Sequence, residues 1–394
     1  MIILGIETSC DETALALIET RENAGATEYR VINSLVHSQA SLHSQYGGVY
    51  PALAKREHGK HIFPLLQKIL ADLPVSQKVA DLSGVTERFR SDLSAQNPEL
   101  LEALQGSSFL STIPTIDQIT VTEGPGLEPA LWVGITAAKI LSTLWNVPII
   151  PVNHMEGHVV GSLLQDDAST SRTWQKLKPV AYPSLALLIS GGHTELVSIE
   201  KIGTYSIIGK TRDDAVGEAY DKAARLLGLP YPGGPELAHL AHKGRDENIP
   251  APVALPRPMI QSGDLDFSFS GLKTAVLYAV RAAEKDGVFD DHFKLGLARE
   301  FEQAITDTLV HKVTNALEKT GAQTLILGGG VSANTYICEH ISTKAREYDA
   351  QILLPSRHIS GDNALMIALA GSFYTATKTP GDIRAHGTKQ LGLN

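Results

Sequence analysis

Cysteine is scarce in this 394-residue chain, which has two, Cys10 and Cys338. That excludes a disulfide framework and fits a reducing compartment. An excess of positive charge is also missing. Asp and Glu outnumber Lys and Arg by 43 to 34, a formal net charge of −9. A chain that grips nucleic acid alone is ordinarily basic, so RNA is left to local patches or to a basic partner. The candidate patches are KREHGKH (Lys55 to His61) and Lys210 with Arg212, and a solvated charged face is the favoured reading of either taken alone. Long apolar runs are absent too. The richest stretch, Ala130 to Val152, is broken by Lys139, Asn146 and two prolines, so no membrane span is expected. The opening MIILGIET has no basic segment, so no targeting sequence is expected there. What is present is 43% hydrophobic and 20% charged residues, the balance of a globular chain. The length suits two lobes of similar size.

Two blocks share one shape. IILGIETSCDETALALIE (Ile2 to Glu19) and LALLISGGHTELVSIE (Leu185 to Glu200) each read as apolar strand, small polar turn, apolar strand. Two lobes, each opening with such a hairpin, are expected: 1–180 and 181–394, with the junction near Tyr182 to Leu185. Helical spacing follows each hairpin, at His61 to Leu73 and at Gly217 to Leu229. Alternating strand and helix signals give an α/β fold. The polar, mixed-charge segment 72–115 reads as a surface excursion, a loop with one helix.

Several motifs carry chemistry. In NHMEGH, His154 and His158 lie four apart, within about 40° around a helix, and could ligate one metal. The metalloprotease signature puts a glutamate directly after the first histidine. Here Glu156 falls about 200° away from His154, pointing off the metal. Asp362 opens an apolar helix in SRHISGDNALMIALAG, either as its N-cap or as a third, oxygen ligand. LILGGGVSANTYI (Leu325 to Ile337) runs from a strand through three glycines into a helix whose first turn holds Asn334, suited to a flat or anionic ligand or to local capping. Ser190, Gly191, Gly192 and Thr194 form a hairpin tip with exposed amides, suited to phosphate or simply a tight turn. Asp221 lies on a helix before the rigid loop PYPGGP, a common way to hold ribose hydroxyls. EGPGLEPALWVGITAAK (Glu123 to Lys139) turns tightly from a strand into a helix. Cys10 beside Asp11 invites a nucleophile reading, but nothing in the sequence pairs it with a base.

GIETSCDETA, GPGLEPALWVGITAAK, NHMEGH, LISGGHTEL, DDAVGEAYDKAARLLGLPYPGGP, DFSFSGLKTAV, GGGVSAN and GDNALMIA follow one another in an order that resembles the TsaD family, the tRNA threonylcarbamoyladenosine transferases. The resemblance covers the chain except 72–115. It implies an actin/Hsp70-like (ASKHA) fold of two ribonuclease-H-like lobes with an active-site cleft between them. It implies transfer of threonylcarbamoyl from threonylcarbamoyl-AMP to N6 of the adenosine 3′ of the anticodon, in tRNAs reading codons that begin with A. By motif, the metal ligands fall on His154, His158 and Asp362, holding one Fe2+ or Zn2+ per subunit. The adenylate site falls on Leu188, Ile189, Ser190, Gly191, Gly192, Asp221, Gly234 and Asn334. Asp11 and Glu12 match positions linked to activity. The implied partners are tRNA and, in the bacterial branch, a TsaB-like paralogue and a TsaE-like ATPase; a mitochondrial relative is a homodimer. A cytoplasmic location is expected, with the mitochondrial matrix as the alternative.

Two departures stand out. Ala238 takes a position that is often acidic in the family, where Glu236 could substitute, and Ala52 replaces a glutamate in GGVYPALAKREH. Two other functions compete. The histidine pair suggests a zinc metallopeptidase, against which the displaced Glu156 counts. The glycine loops suit an ATP-binding chaperone-like or scaffold module, in which the metal ligands would be surplus.

Overall fold

The computed structural model describes residues 1–23, 25–71, 73–165, 172–376 and 379–392, with the backbone alone for 75–79. The chain opens with β1 (Ile2–Glu7), β2 (Glu12–Asn23) and β3 (Ala26–Ser38), then α1 (Ala40–His43) and α2 (Pro51–Leu70). β1 and β2 form the expected hairpin, with Ile2 opposite Glu19 and Glu7 opposite Ala14. Both strands are near-continuous apolar runs because both faces are covered. Helix α2 starts ten residues before the expected His61. Pro51 sits at its first turn, where a missing N–H costs nothing, and the helix continues through Pro64.

Segment 72–115 is not a loop with one helix. It holds β4 (Val75–Val79), α3 (Leu82–Gln96), α4 (Pro98–Gln105) and β5 (Thr112–Pro114). Nor is it merely a surface excursion. Leu93, Leu100, Leu104 and Leu110 are buried in the same apolar cluster as Phe63 and Leu141. A sparse leucine pattern among charged residues hid this inward face.

After this come β6 (Gln118–Gly124), α5 (Glu128–Trp145), β7 (Ile149–Asn153), α6 (His154–Gly161) and the short β8 (Gln175–Lys176). The sheet order is β7-β6-β1-β2-β3-β8, with β6 parallel to both β1 and β7. The second hairpin is β9 (Ser184–Ile189) and β10 (Thr194–Lys201), extended by β11 (Thr204–Lys210). Helices α7 (Val216–Leu226), α8 (Gly233–Asp246), α9 (Ser270–Asp286) and α10 (Asp291–Thr320) follow, then β12 (Thr324–Gly328), α11 (Thr335–Arg346) and β13 (Gln351–Leu353). Their sheet runs β11-β10-β9-β12-β13, with β12 parallel to β9 and β13. Apart from the edge strand β8, each sheet has the same order: third, second, first, fourth, fifth strand. This is the ribonuclease-H-like order, used twice in an actin/Hsp70-like α/β fold.

The chain divides into two compact units, but not as expected at its far end. One unit comprises Met1–Leu42, Val49–Lys178 and Ser356–Leu393; the other comprises chiefly His43–Gly48 and Pro179–Pro355. The last helix, α12 (Ala364–Gly371), therefore belongs to the first unit, not to a C-terminal lobe 181–394. All eight of its residues are buried. A helix apolar all round must be covered on every side, and nothing local in the sequence says by which sheet. It lies on β1 at Gly5, where a Cβ would come within 2.4 Å of the Ala364 carbonyl oxygen.

Candidate active site

In the first unit, β7 ends at Asn153, whose side chain caps α6 by accepting from the amides of Met155 and Glu156. His154 and His158 follow on one face. The helix approaches α12 through Gly157, where a Cβ would lie 2.8 Å from Ile367 Cδ1. At the start of α12, Asn363 and not Asp362 is the N-cap, accepting from Met366 N at 3.0 Å. Asp362 is thus spared capping. Its Oδ1 lies 3.4 Å from His154 Nε2 and 3.2 Å from His158 Nε2. The two rings meet edge to face, with centroids 4.7 Å apart. His158 Nε2 is buried and, despite that proximity, has no partner at hydrogen-bonding angles.

Sequence reasoning missed Glu7. It ends the apolar strand β1, fully buried, and such a carboxylate needs a partner; that was the available signal. Its Oε2 lies 3.0 Å from His154 Nδ1 and accepts from Thr122 Oγ1 at 2.5 Å. Its Oε1 accepts from Ser9 N at 2.5 Å. A carboxylate on Nδ1 assigns that nitrogen its proton and turns Nε2 toward Asp362.

The β1–β2 turn is held from two sides. Thr8 Oγ1 donates to Ala130 O at 3.0 Å, at the start of α5. From α2, His58 Nε2 contacts Cys10 O at 3.0 Å. Asp11 and Glu12 stand at this turn. Burial, then the charges of Asp362 and Asp11, push the Glu12 carboxyl up to about 9. Burial, Asp11, Asp362 and Glu12 raise the Cys10 thiol well above its usual range, which disfavours the thiolate a nucleophile needs. Burial works against protonating His154, but Asp362 and Glu7 outweigh it and hold the imidazole well above its ordinary value. Burial works against ionising Asp362, but His154 and His158 hold it well below the usual carboxylate range.

This donor set fits a metal ion. Among the described residues, His154, His158 and Asp362 form a group whose ligand atoms all lie within 4.8 Å of one another. Ligands about 2.1 Å from a tetrahedral ion would be about 3.4 Å apart. The carboxylates gathered around the two imidazoles favour a cation at this point. Glu156 is elsewhere, accepting from the Tyr374 hydroxyl, so it is not placed to activate water at the cluster.

The remaining predicted residues belong to the second unit. Leu188 and Ile189 end β9, and Leu188 pairs with Gly328 at the end of β12. Ser190 Oγ accepts from His193 N at 3.1 Å, closing the turn. A Cβ at Gly191, Gly192, Gly234 or Gly330 would meet nothing within 4 Å. Gly329 differs: its φ is +88°, and a Cβ would lie 2.4 Å from Ile189 O. Two glycine turns thus lie side by side at the carboxyl ends of adjacent parallel strands, the usual place for a ligand in α/β sheets. On α7, Asp221 Oδ1 accepts from Gly233 N at 2.8 Å, tying down the loop before α8, where Glu236 is exposed in the first turn and Ala238 half-buried. Asn334 is the N-cap of α11, one residue before the expected first turn, with Oδ1 accepting from Ile337 N.

In the basic patches, surface ion pairs engage several of the cations. Arg212 is paired with Asp264 and Asp266, and Arg56, Lys60 and His61 gather around Glu57. Among the described residues no helix is long and apolar enough to cross a membrane.

The TsaD family profile, described as tRNA N6-adenosine threonylcarbamoyltransferase, matches residues 30–88 and 97–369. The enzyme of that name from Burkholderia cenocepacia (strain HI2424) is 41% identical over 375 residues, 94% of this chain and 92% of that protein. The one from Methylobacillus flagellatus is 40% identical over 372 residues, with the same shares. A crystal structure of full-length HypF in its phosphate- and nucleotide-bound form aligns with 94% of this chain and 46% of that one, with a TM-score of 0.50 and 10% identity, a likeness of fold alone. The chain belongs to the TsaD family of tRNA N6-adenosine threonylcarbamoyltransferases.

Proposed function

We propose that this transferase of tRNA threonylcarbamoyladenosine biosynthesis moves threonylcarbamoyl from threonylcarbamoyl-AMP to N6 of the adenosine 3′ of the anticodon, in tRNAs reading ANN codons. Its family membership supports the reaction, and one observation carries the site: His154, His158 and Asp362 converge beside the buried Glu7. These three residues would hold one Fe2+ or Zn2+ ion. Bound there, such an ion supplies Lewis acidity for an acyl carbonyl.

The protein's own groups do the positioning. Glu7 orients His154 through Nδ1. His58 and Thr8 fix the β1–β2 turn that carries Asp11 and Glu12. In the second unit, the amides at Ser190–Gly192 and the bare glycine turn at Gly329–Gly330 suit the adenylate, with Asp221, Gly234 and Asn334 around its nucleoside. An exocyclic adenine amine is a poor nucleophile, so orientation and charge stabilisation supply most of the rate. The amine attacks the carbamoyl carbon, the bond to the phosphate oxygen breaks, AMP leaves, and the amine loses a proton. No covalent enzyme intermediate is required. The elevated Cys10 thiol supports its omission.

The net charge of −9 supports a partner-assisted grip on tRNA: a TsaB-like paralogue with a TsaE-like ATPase, or a second copy of the chain. The scarcity of cysteine supports the cytoplasm. Against a metallopeptidase role, Glu156, the glutamate between the two histidines, is engaged by Tyr374. The test substitutes His158→Ala and measures bound metal together with tRNA modification from supplied adenylate. Loss of both is expected; full metal content with full activity would sink the assignment.

A further inference from the structure

We propose that Asn334 meets its ligand as a hydrogen-bond acceptor and that Glu302 is the positioning residue that holds its amide in that sense; this rests on the assignment of Asn334 to the adenylate. Glu302, on α10, is fully buried. Its Oε1 accepts from Asn334 Nδ2 at 2.6 Å and from the Tyr220 hydroxyl at 3.2 Å, and its Oε2 pairs with Arg245. Arg245 is itself seated over the Tyr336 ring, 3.6 Å from the centroid. An ionised carboxylate accepts and cannot donate, so the face of Asn334 turned to Glu302 must be its nitrogen. Burial, then the Glu302 charge, keep the Tyr220 phenol well above its usual range, so it retains the proton it gives to Glu302.

The donor capacity of Asn334 is then used up. One Nδ2 proton goes to Glu302 and the other to the Tyr220 oxygen at 3.3 Å. Oδ1 already accepts from Ile337 N at 3.1 Å, which leaves its second lone pair. A ligand reaching Asn334 must therefore donate. In the AMP portion of the substrate the donors are the ribose hydroxyls and the exocyclic amine, and the ionised phosphate offers none. Asn334 thus reads the nucleoside, although it stands beside a glycine turn of phosphate-binding appearance.

The test titrates the full chain calorimetrically with AMP, 2′-deoxy-AMP, 3′-deoxy-AMP and inosine monophosphate. One of the three analogues, the one lacking the donor that Asn334 receives, should bind roughly tenfold more weakly than AMP, and Asn334→Ala should erase that difference. A charge swap isolates Glu302. Asn334→Asp sets a second carboxylate where the amide nitrogen now lies 2.6 Å from Glu302, and Glu302→Gln puts an amide against Arg245 or Asn334. Each should weaken AMP binding about tenfold. The double variant should return to within about threefold of the parent, because the amide introduced on α10 can donate to the carboxylate introduced at the α11 cap and still accept from Arg245. A merely structural role would give additive losses instead of rescue. If Asn334→Asp melts out, Glu302→Gln against the double variant still decides. Single variants that bind AMP like the parent, a double variant no better than either single, or analogues that all bind alike would overturn the inference. A parent chain that binds no AMP would overturn the adenylate assignment itself.

Discussion

The two hairpin tips occupy the same place in the same strand order and carry opposite chemistry. β1 and β2 are joined by Thr8, Ser9, Cys10 and Asp11, and β9 and β10 by Ser190, Gly191, Gly192 and His193. The first tip is packed against α5 and α2 and leads into a buried knot of carboxylates and imidazoles. At the second, the glycines leave open space where side chains would stand, and backbone amides are what it can offer. One scaffold thus presents a histidine–carboxylate cluster in one unit and an open glycine turn in the other. Turn composition, not topology, sets the chemistry.

The comparison can be broken most sharply at Asp362. Asp362→Ala removes the oxygen that both Nε2 atoms face. It should abolish metal retention, measured by elemental analysis, and lower transfer more than about a hundredfold. AMP affinity should stay within about twofold, because the glycine turns are untouched. Next in size, Glu7→Gln should lower metal affinity about 10- to 100-fold by loosening the His154 tautomer, read by competition with a chelator. The reciprocal change gives the second tip the first tip's charge. Gly191→Asp should weaken AMP binding about tenfold by repelling phosphate while metal content is unchanged. If either tip's variant also damages the other site, the separation of the two tips fails.

Smaller effects sharpen the first unit alone. Gly157→Val would press on Ile367 and should cost about 1–3 kcal/mol in chemical denaturation, with weaker metal binding because α6 and α12 are pushed apart. The smallest effect concerns pH in chelator-treated protein. Glu12 titrates near 9 when folded against an ordinary value of 4.5, so the folded state holds the extra proton between them. Stability from this group should be greatest below pH 4.5 and fall as pH rises toward 9. Glu12→Gln should flatten that part of the melting-temperature profile, and an unchanged slope would contradict it.

Much of this was legible in the sequence because it is local. The hairpins announce themselves as paired apolar runs around small polar turns. His154 and His158 share a helix face by spacing alone, and the same geometry turned Glu156 away. What escaped was non-local. The leucines of 82–110 are too sparse among charges to show an inward face. Glu7 looked like one more strand residue until a histidine 147 positions later reached it. Helix α12 is apolar on every side, so its sequence could not name the sheet it joins. Asn334 was placed one residue off because a capping side chain and a first-turn residue read alike when the preceding glycines blur the start of a helix.

The return of the chain to its first unit has a consequence for the order of synthesis. The two histidines leave the ribosome some two hundred residues before Asp362, and the main segment of the second unit, Pro179–Pro355, is made in between. Until α12 arrives, β1 lacks the helix that covers Gly5, and the imidazoles lack their carboxylate. A nascent chain that ends between His158 and Asp362 has two of the three clustered residues and an uncovered sheet. The histidine–aspartate cluster therefore closes only once translation has reached the start of α12, and a product terminated before Asp362 lacks it.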